Sequence, residues 1–149
     1  MHDPAYSYGL ASRLNYYIPD RSIGMFLDLE WNRRGGYDGG KTFSGDKSEP
    51  YVMDYIDINF GPHIGKNGFF GSGPYLGFLV HKGAAVDYPQ NAKPVDFGGY
   101  ITTGYVTKTK PRFLFAFDFK VSFINVYEEP YYFSQSTHIV WGISIGIGY

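Results

Sequence analysis

The last twelve residues, HIVWGISIGIGY, separate into two chemically distinct rows when every second residue is taken. Ile139, Trp141, Ile143, Ile145, Ile147 and Tyr149 form one row, and His138, Val140, Gly142, Ser144, Gly146 and Gly148 the other. A helix would scatter both rows around its circumference, whereas successive residues of a strand point to opposite faces. The same period of two organises six earlier stretches, approximately residues 6–18, 22–34, 51–61, 69–82, 95–107 and 112–125, each cut off by Gly, Pro or charge clusters. In RFLFAFDFKVSF, Phe113, Phe115, Phe117, Phe119, Val121 and Phe123 oppose Arg112, Leu114, Ala116, Asp118, Lys120 and Ser122. Ile23, Met25, Leu27, Leu29 and Trp31 likewise oppose Gly24, Phe26, Asp28, Glu30 and Asn32. Tyr6, Tyr8, Leu10, Leu14, Tyr16 and Ile18 oppose Ser7, Gly9, Ala11, Arg13 and Asn15. Residues 69–82 fit least well, and Pro74, which lacks an N–H, predicts a bulge near Gly73-Pro74.

Alternation alone fits a soluble barrel with an apolar inside as well as a membrane barrel turned the other way. Content decides between them. The polar row is rich in Gly, Ser, Ala, Asn and Thr, which suit a crowded lumen, and poor in the Lys and Glu that a water-facing exterior needs. The apolar row carries large aliphatics and rings with few interruptions, as contact with hydrocarbon requires. Charged residues are 18% of the chain, below the roughly 25% of soluble domains, and aromatics are 20%. Low hydropathy is no objection, because a barrel strand crosses without the run of about 18 apolar residues that a helix needs. A net charge of -1 and the lack of any Lys/Arg cluster argue against nucleic acid as a partner. The absence of Cys removes disulfides, thiolate metal sites and a Cys nucleophile.

Trp and Tyr prefer the two membrane interfaces. With antiparallel strands, Tyr6, Tyr8, Trp31 and Trp141 fall near one rim, and Tyr16, Tyr105 and Tyr149 near the other. Connections alternate in length: Pro19 to Arg21 short, Gly35 to Pro50 long, Pro62 to Gly68 short, Gly83 to Pro94 long, Lys108 to Pro111 short, Val126 to Thr137 long. Short periplasmic turns and long external loops give that rhythm. Seven strands would leave residue 1 and Tyr149 on opposite sides, while single-chain bacterial barrels have even counts. The expectation is therefore an all-β, antiparallel up-and-down transmembrane β-barrel of eight strands. Residues 1–149 form its single domain and encode about seven strands, the first coming from upstream or from another chain. Met1-His2-Asp3-Pro4 lacks the features of a signal peptide, which points to a processed or trimmed chain.

YVMDYIDINFGP at 51–62, GSGPYLGFLV at 71–80, VDFGGYITTGYV at 95–106 and the terminal GISIGIGY, with the strand before Arg33-Arg34-Gly35-Gly36, resemble in order and spacing the PorT-like outer-membrane β-barrel domain family of bacteria with a type IX secretion system. The resemblance covers nearly the whole chain apart from the family's first strand. It implies an eight-stranded barrel in the bacterial outer membrane, and a structural or interaction role accessory to secretion or surface assembly. Ile143, Ile145, Ile147 and Tyr149 also resemble the C-terminal signal through which barrels meet the assembly machinery during insertion.

Eight strands leave an interior just wide enough to be filled by side chains, so charges there must pair or stay hydrated. Arg13, Asp28, Glu30, Asp57, Asp96, Arg112, Asp118 and Lys120 read as inward and compose a polar plug rather than a solute path. The expected partners are outer-membrane lipids, the assembly machinery and a protein of a membrane complex, with no cofactor, no metal and no catalytic residue. Two alternatives stand beside this reading: a lipid-modifying enzyme built on Ser136 and His138, and a narrow diffusion channel. A metal shared by His81 and His138 is a weaker idea still. The glycines from Gly142 to Gly148 alternate along a strand with no helix after them, and so serve as lumen spacers rather than a phosphate loop. Tyr37, Phe43, Tyr131, Tyr132 and Phe133 lie in long loops, where rings either fold onto the rim or anchor a partner.

Overall fold

A computed structural model describes residues 8–37, 50–83, 93–124 and 139–148. Among these residues there is no helix, and seven strands account for nearly everything: β1 (Tyr8–Tyr17), β2 (Ile23–Tyr37), β3 (Pro50–Ile64), β4 (Gly68–Gly83), β5 (Val95–Val106), β6 (Arg112–Ser122) and β7 (Ile139–Gly148). Each pairs antiparallel with its chain neighbour in the order β1-β2-β3-β4-β5-β6-β7. The sheet curls into a half-barrel whose first and last strands do not pair with each other. Tyr6 and Tyr149 lie outside the described residues, as do Phe43, Tyr131, Tyr132, Phe133, Ser136 and His138.

The period-two rows set the register, because a one-residue slip would carry every apolar side chain to the other face. Arg13 stands opposite Asp28, Asp57 opposite Glu30, and Asp118 opposite Thr102 on the inner face. Leu14 opposite Leu27, Leu29 opposite Ile58, and Phe117 opposite Ile143 continue the outer one. Short turns close one end. Asp20 takes the left-handed conformation (φ 61°) in the β1-β2 turn and Gly65 does so (φ 92°) in the β3-β4 turn, where a side chain on residue 65 would be strained. The Gly65 N–H donates to the Ser22 carbonyl at 2.6 Å, and Asn67 exchanges bonds with Val106, so neighbouring turns are stitched together.

The bulge expected near Gly73-Pro74 is elsewhere. The β3-β4 register shifts between Asp54 and Tyr55, which face His81 and Leu79, leaving Val80 as the extra residue. Pro74 is accommodated without a slip: register is the same on both sides of it, and the ladder is interrupted only between Asn59-Tyr75 and His63-Gly71. Each strand carries a proline there, Pro62 on β3 and Pro74 on β4, so each lacks a donor. Two glycines let the backbones close up instead. A Cβ at Gly61 would lie 2.1 Å from the Ser72 carbonyl oxygen, and one at Gly73 would lie 2.0 Å from that of Phe60. The two faces of residues 69–72 are also settled, with Gly71 buried inside and Phe70 46% exposed outside.

Gly61→Val is expected to destabilise the fold by about 1–3 kcal/mol through backbone displacement. Gly142→Ala, with nothing within 4 Å of the added Cβ, should stay within about 0.5 kcal/mol of the parent. Denaturant titration of the two variants checks the contrast.

Candidate functional site

The inner surface of the half-barrel is a charge network crossing from strand to strand. Arg34 on β2 reaches Asp57 on β3 (2.6 Å) and Asp96 on β5 (2.5 Å), and its guanidinium lies 4.3 Å from the centre of the Tyr55 ring. Asp57 also accepts from Lys120 of β6 (2.7 Å), which in turn donates to Glu30 of β2 (2.6 Å). Asp96 is completed by the Tyr75 hydroxyl at 2.9 Å and the Ser122 hydroxyl at 2.6 Å. Asp57 and Asp96 are at most 1% exposed. Ionised groups so buried need opposite charge and hydrogen bonds close by, and the alternating signs along Arg34, Asp57, Lys120 and Glu30 supply them.

A second cluster sits nearer β1 and β7. Arg13 forms a two-point pair with Asp28, both contacts 2.7 Å, and donates to the Tyr100 hydroxyl at 2.7 Å. Tyr100 donates onward to Asp118 at 2.6 Å, and the Ser144 hydroxyl of β7 donates to the same carboxylate. The Arg13 guanidinium comes no closer than 3.7 Å to Asp118. Asp118 is therefore held by hydroxyls, with a cation beyond hydrogen-bond reach.

The outer surface is the chemical opposite. Leu10, Leu14, Ile143, Ile145 and Ile147 are exposed on the edge strands, and Leu27, Leu29, Phe60, Phe115 and Phe117 on the inner ones. Tyr8, Trp31 and Trp141 lie toward the end with the long connections, and Tyr16 and Tyr105 toward the short turns. Arg33 also faces outward at the long-connection end. It pairs with Asp54 at 2.7 Å, donates to the Tyr8 hydroxyl at 2.8 Å, and stacks over the Tyr8 and Trp31 rings.

Of the eight charged residues read as inward, seven enter these two clusters: Arg13, Asp28 and Asp118 in one, Glu30, Asp57, Asp96 and Lys120 in the other. Arg112 stands apart, exposed at the short-turn mouth. Sequence reasoning missed Arg34, Tyr75 and Tyr100. Arg34 simply continues the row Asp28, Glu30, Asn32, a signal lost by ending that row one step early. Tyr75 and Tyr100 escape sequence reasoning because an amphipathic ring does not declare a face, yet each is at most 2% exposed inside the lumen. His81 sits opposite Asp54 near the bulge.

No protein-family model, no curated protein and no solved structure matches the chain. Fold and site together define an antiparallel meander, curled with two charge clusters inside and a mainly apolar face outside.

Arg34→Met strips Asp96 of the guanidinium 2.5 Å away and Asp57 of the one at 2.6 Å, and should cost about 3–5 kcal/mol by leaving buried charge uncompensated. Equilibrium unfolding of the variant measures it, and a change below about 1 kcal/mol would mean that the network is not structural.

Proposed function

We propose that the chain is the larger part of a small outer-membrane β-barrel, natively of eight strands, whose filled lumen makes it a structural or interaction module rather than an enzyme or a pore. One observation carries the reading: the outer surface exposes Ile, Leu and Phe side chains while Asp57, Asp96, Arg34 and Lys120 are buried inside. In water that arrangement forfeits the hydrophobic driving force and pays for desolvating charges as well. In a bilayer it is the favourable one, because acyl chains solvate the exterior and the ion pairs stay away from hydrocarbon. Tyr and Trp toward both ends of the outer face support it, since their amphipathic rings suit the headgroup regions. So do the alternating long and short connections.

The lumen favours plugging over conduction. Phe26, Tyr55, Tyr75, Tyr100 and Met53 occupy much of it beside the ion pairs, and once an eighth strand closes the remaining gap such a barrel has no width to spare. The accessory part in secretion or surface assembly rests on the resemblance to PorT-like domains alone, and a barrel architecture by itself names no task. Barrel assembly machinery and outer-membrane lipids are the partners this reading requires.

Ile145→Arg separates the two solvents. In lipid, a charge near the bilayer midplane is expected to cost about 2–4 kcal/mol. In a water-soluble fold the same change at a residue 74% exposed would fall within about 0.5 kcal/mol. Urea unfolding from phosphatidylcholine vesicles gives the number. A near-neutral result, or a parent chain that stays monodisperse in buffer without lipid or detergent, would defeat the proposal.

A further inference from the structure

The two free edges of the half-barrel share a direction. Seven strands in strict antiparallel order make β1 and β7 run the same way, so they cannot close on each other as an antiparallel pair. A second copy in the same membrane orientation, with its β7 against this β1, meets the same parity mismatch. A single strand running opposite to both satisfies both edges at once. About half of the N–H and C=O groups of an edge strand point away from its one partner, and in hydrocarbon each of those groups needs a bond.

The space between the edges says what that strand must carry. β1 and β7, ten residues each, flank a cavity of about 1270 Å³. Toward the long-connection end of β1 and along most of β7 the inward residues are small, Gly9 and Ala11 on β1 and Gly142, Ser144, Gly146 and Gly148 on β7, while Arg13, Asn15 and Tyr17 fill the rest of the β1 row. No atom lies within 4 Å of a Cβ placed on Gly142 or Gly148. Long inward side chains on the incoming strand would find room there. Their charge follows from the lumen. Among the described residues of the two inner clusters, Arg13, Arg34 and Lys120 face five carboxylates, Asp28, Glu30, Asp57, Asp96 and Asp118. Asp28, Glu30 and Asp118 line the cavity together with Arg13 and Lys120, whereas Lys66, Lys108 and Arg112 line only its exposed short-turn mouth. Among the described residues, the cation beside Asp118 is Arg13 at 3.7 Å, beyond hydrogen-bond distance. The outward side must be apolar: Leu10, Ile143 and Ile145 are 74–76% exposed, against 45–49% for Leu27, Phe60 and Phe115, which have a strand on each side.

We infer that the gap between β1 and β7 is a strand-acceptor site for a partner segment of about ten residues, with apolar residues alternating with inward Lys or Arg that pair with Asp118 and Glu30. The apolar half of this assignment rests on the membrane reading, and the basic half stands on the lumen alone.

The test uses the full chain folded in detergent micelles and a synthetic ten-residue peptide alternating Leu or Val with Lys and Thr, matching the edge length. A Glu-for-Lys peptide and a scrambled peptide without alternation serve as comparisons. The Lys peptide is expected to slow amide exchange about tenfold or more across both Tyr8–Tyr17 and Ile139–Gly148, leave β4 unchanged, and bind about tenfold more tightly than the Glu peptide. Asp118→Asn should narrow that preference. The same strand joined by a turn to Tyr8, in place of residues 1–7, repeats the exchange measurement without depending on free-peptide affinity.

Protection without preference for Lys overturns the charge assignment. No protection from either the free or the fused strand overturns the site, as does concentration-dependent dimerisation that protects both edges without peptide. A chain that shows no β signal in micelles but folds in buffer fails on the membrane reading first, and takes the apolar half of this inference with it.

Discussion

The half-barrel depends on opposite charges meeting across its interior. Ladder hydrogen bonds join each strand only to its chain neighbours, and nothing in such a ladder dictates how tightly the sheet curls. The contacts that fix the curl skip strands: Arg34 of β2 to Asp96 of β5, Lys120 of β6 to Asp57 of β3 and Glu30 of β2, and Arg13 of β1 to Tyr100 of β5. Their partners are separated by 62 to 90 residues, so each closes a long loop of chain. The edge-on contact of Phe26 with Tyr100, centroids 5.7 Å apart, spans β2 to β5 and adds an apolar strut beside them. Because these charges are expensive to bury singly, the network tolerates few alternative registers.

With the two charge clusters inside, the outer face is left mostly apolar, and the proposed membrane setting follows from that. The rings of Tyr8, Trp31, Tyr16, Tyr105 and Trp141 then acquire a common logic, since each offers an apolar body and a polar tip near an end of the outer face. Arg33 follows the same logic at the long-connection end: its charge is met by Asp54 and its flat face by two rings. Among the described residues, β1 and β7 leave one edge each without a strand partner, and Asp28, Glu30 and Asp118 line the cavity beside them.

Much of this was legible in the sequence because the side-chain period of a strand is two, and the two rows differ so sharply in chemistry. All seven strands, their antiparallel order and the inward direction of Arg13, Asp28, Glu30, Asp57, Asp96, Asp118 and Lys120 follow from that pattern. What escaped it has physical causes. Tyr75 and Tyr100 are amphipathic, so their residue type does not declare a face; only the phase of the strand does. The extra residue at Val80 leaves no mark, since Val suits either face, whereas Pro74 advertised a disruption that the neighbouring Gly61 and Gly73 absorb. Which carboxylate pairs with which cation depends on distances across the lumen, and no local pattern encodes them.

The central claim concerns the medium against the outer face, and the two tryptophans, Trp31 and Trp141, both sit on that face. Their fluorescence in vesicles of brominated phosphatidylcholine reports it directly. The account predicts blue-shifted emission and strong quenching, greater for bromines placed near the headgroups than for bromines at the bilayer centre. Emission that no brominated lipid quenches would place both rings in water if unshifted, or in a protein interior if blue-shifted, and either would contradict it.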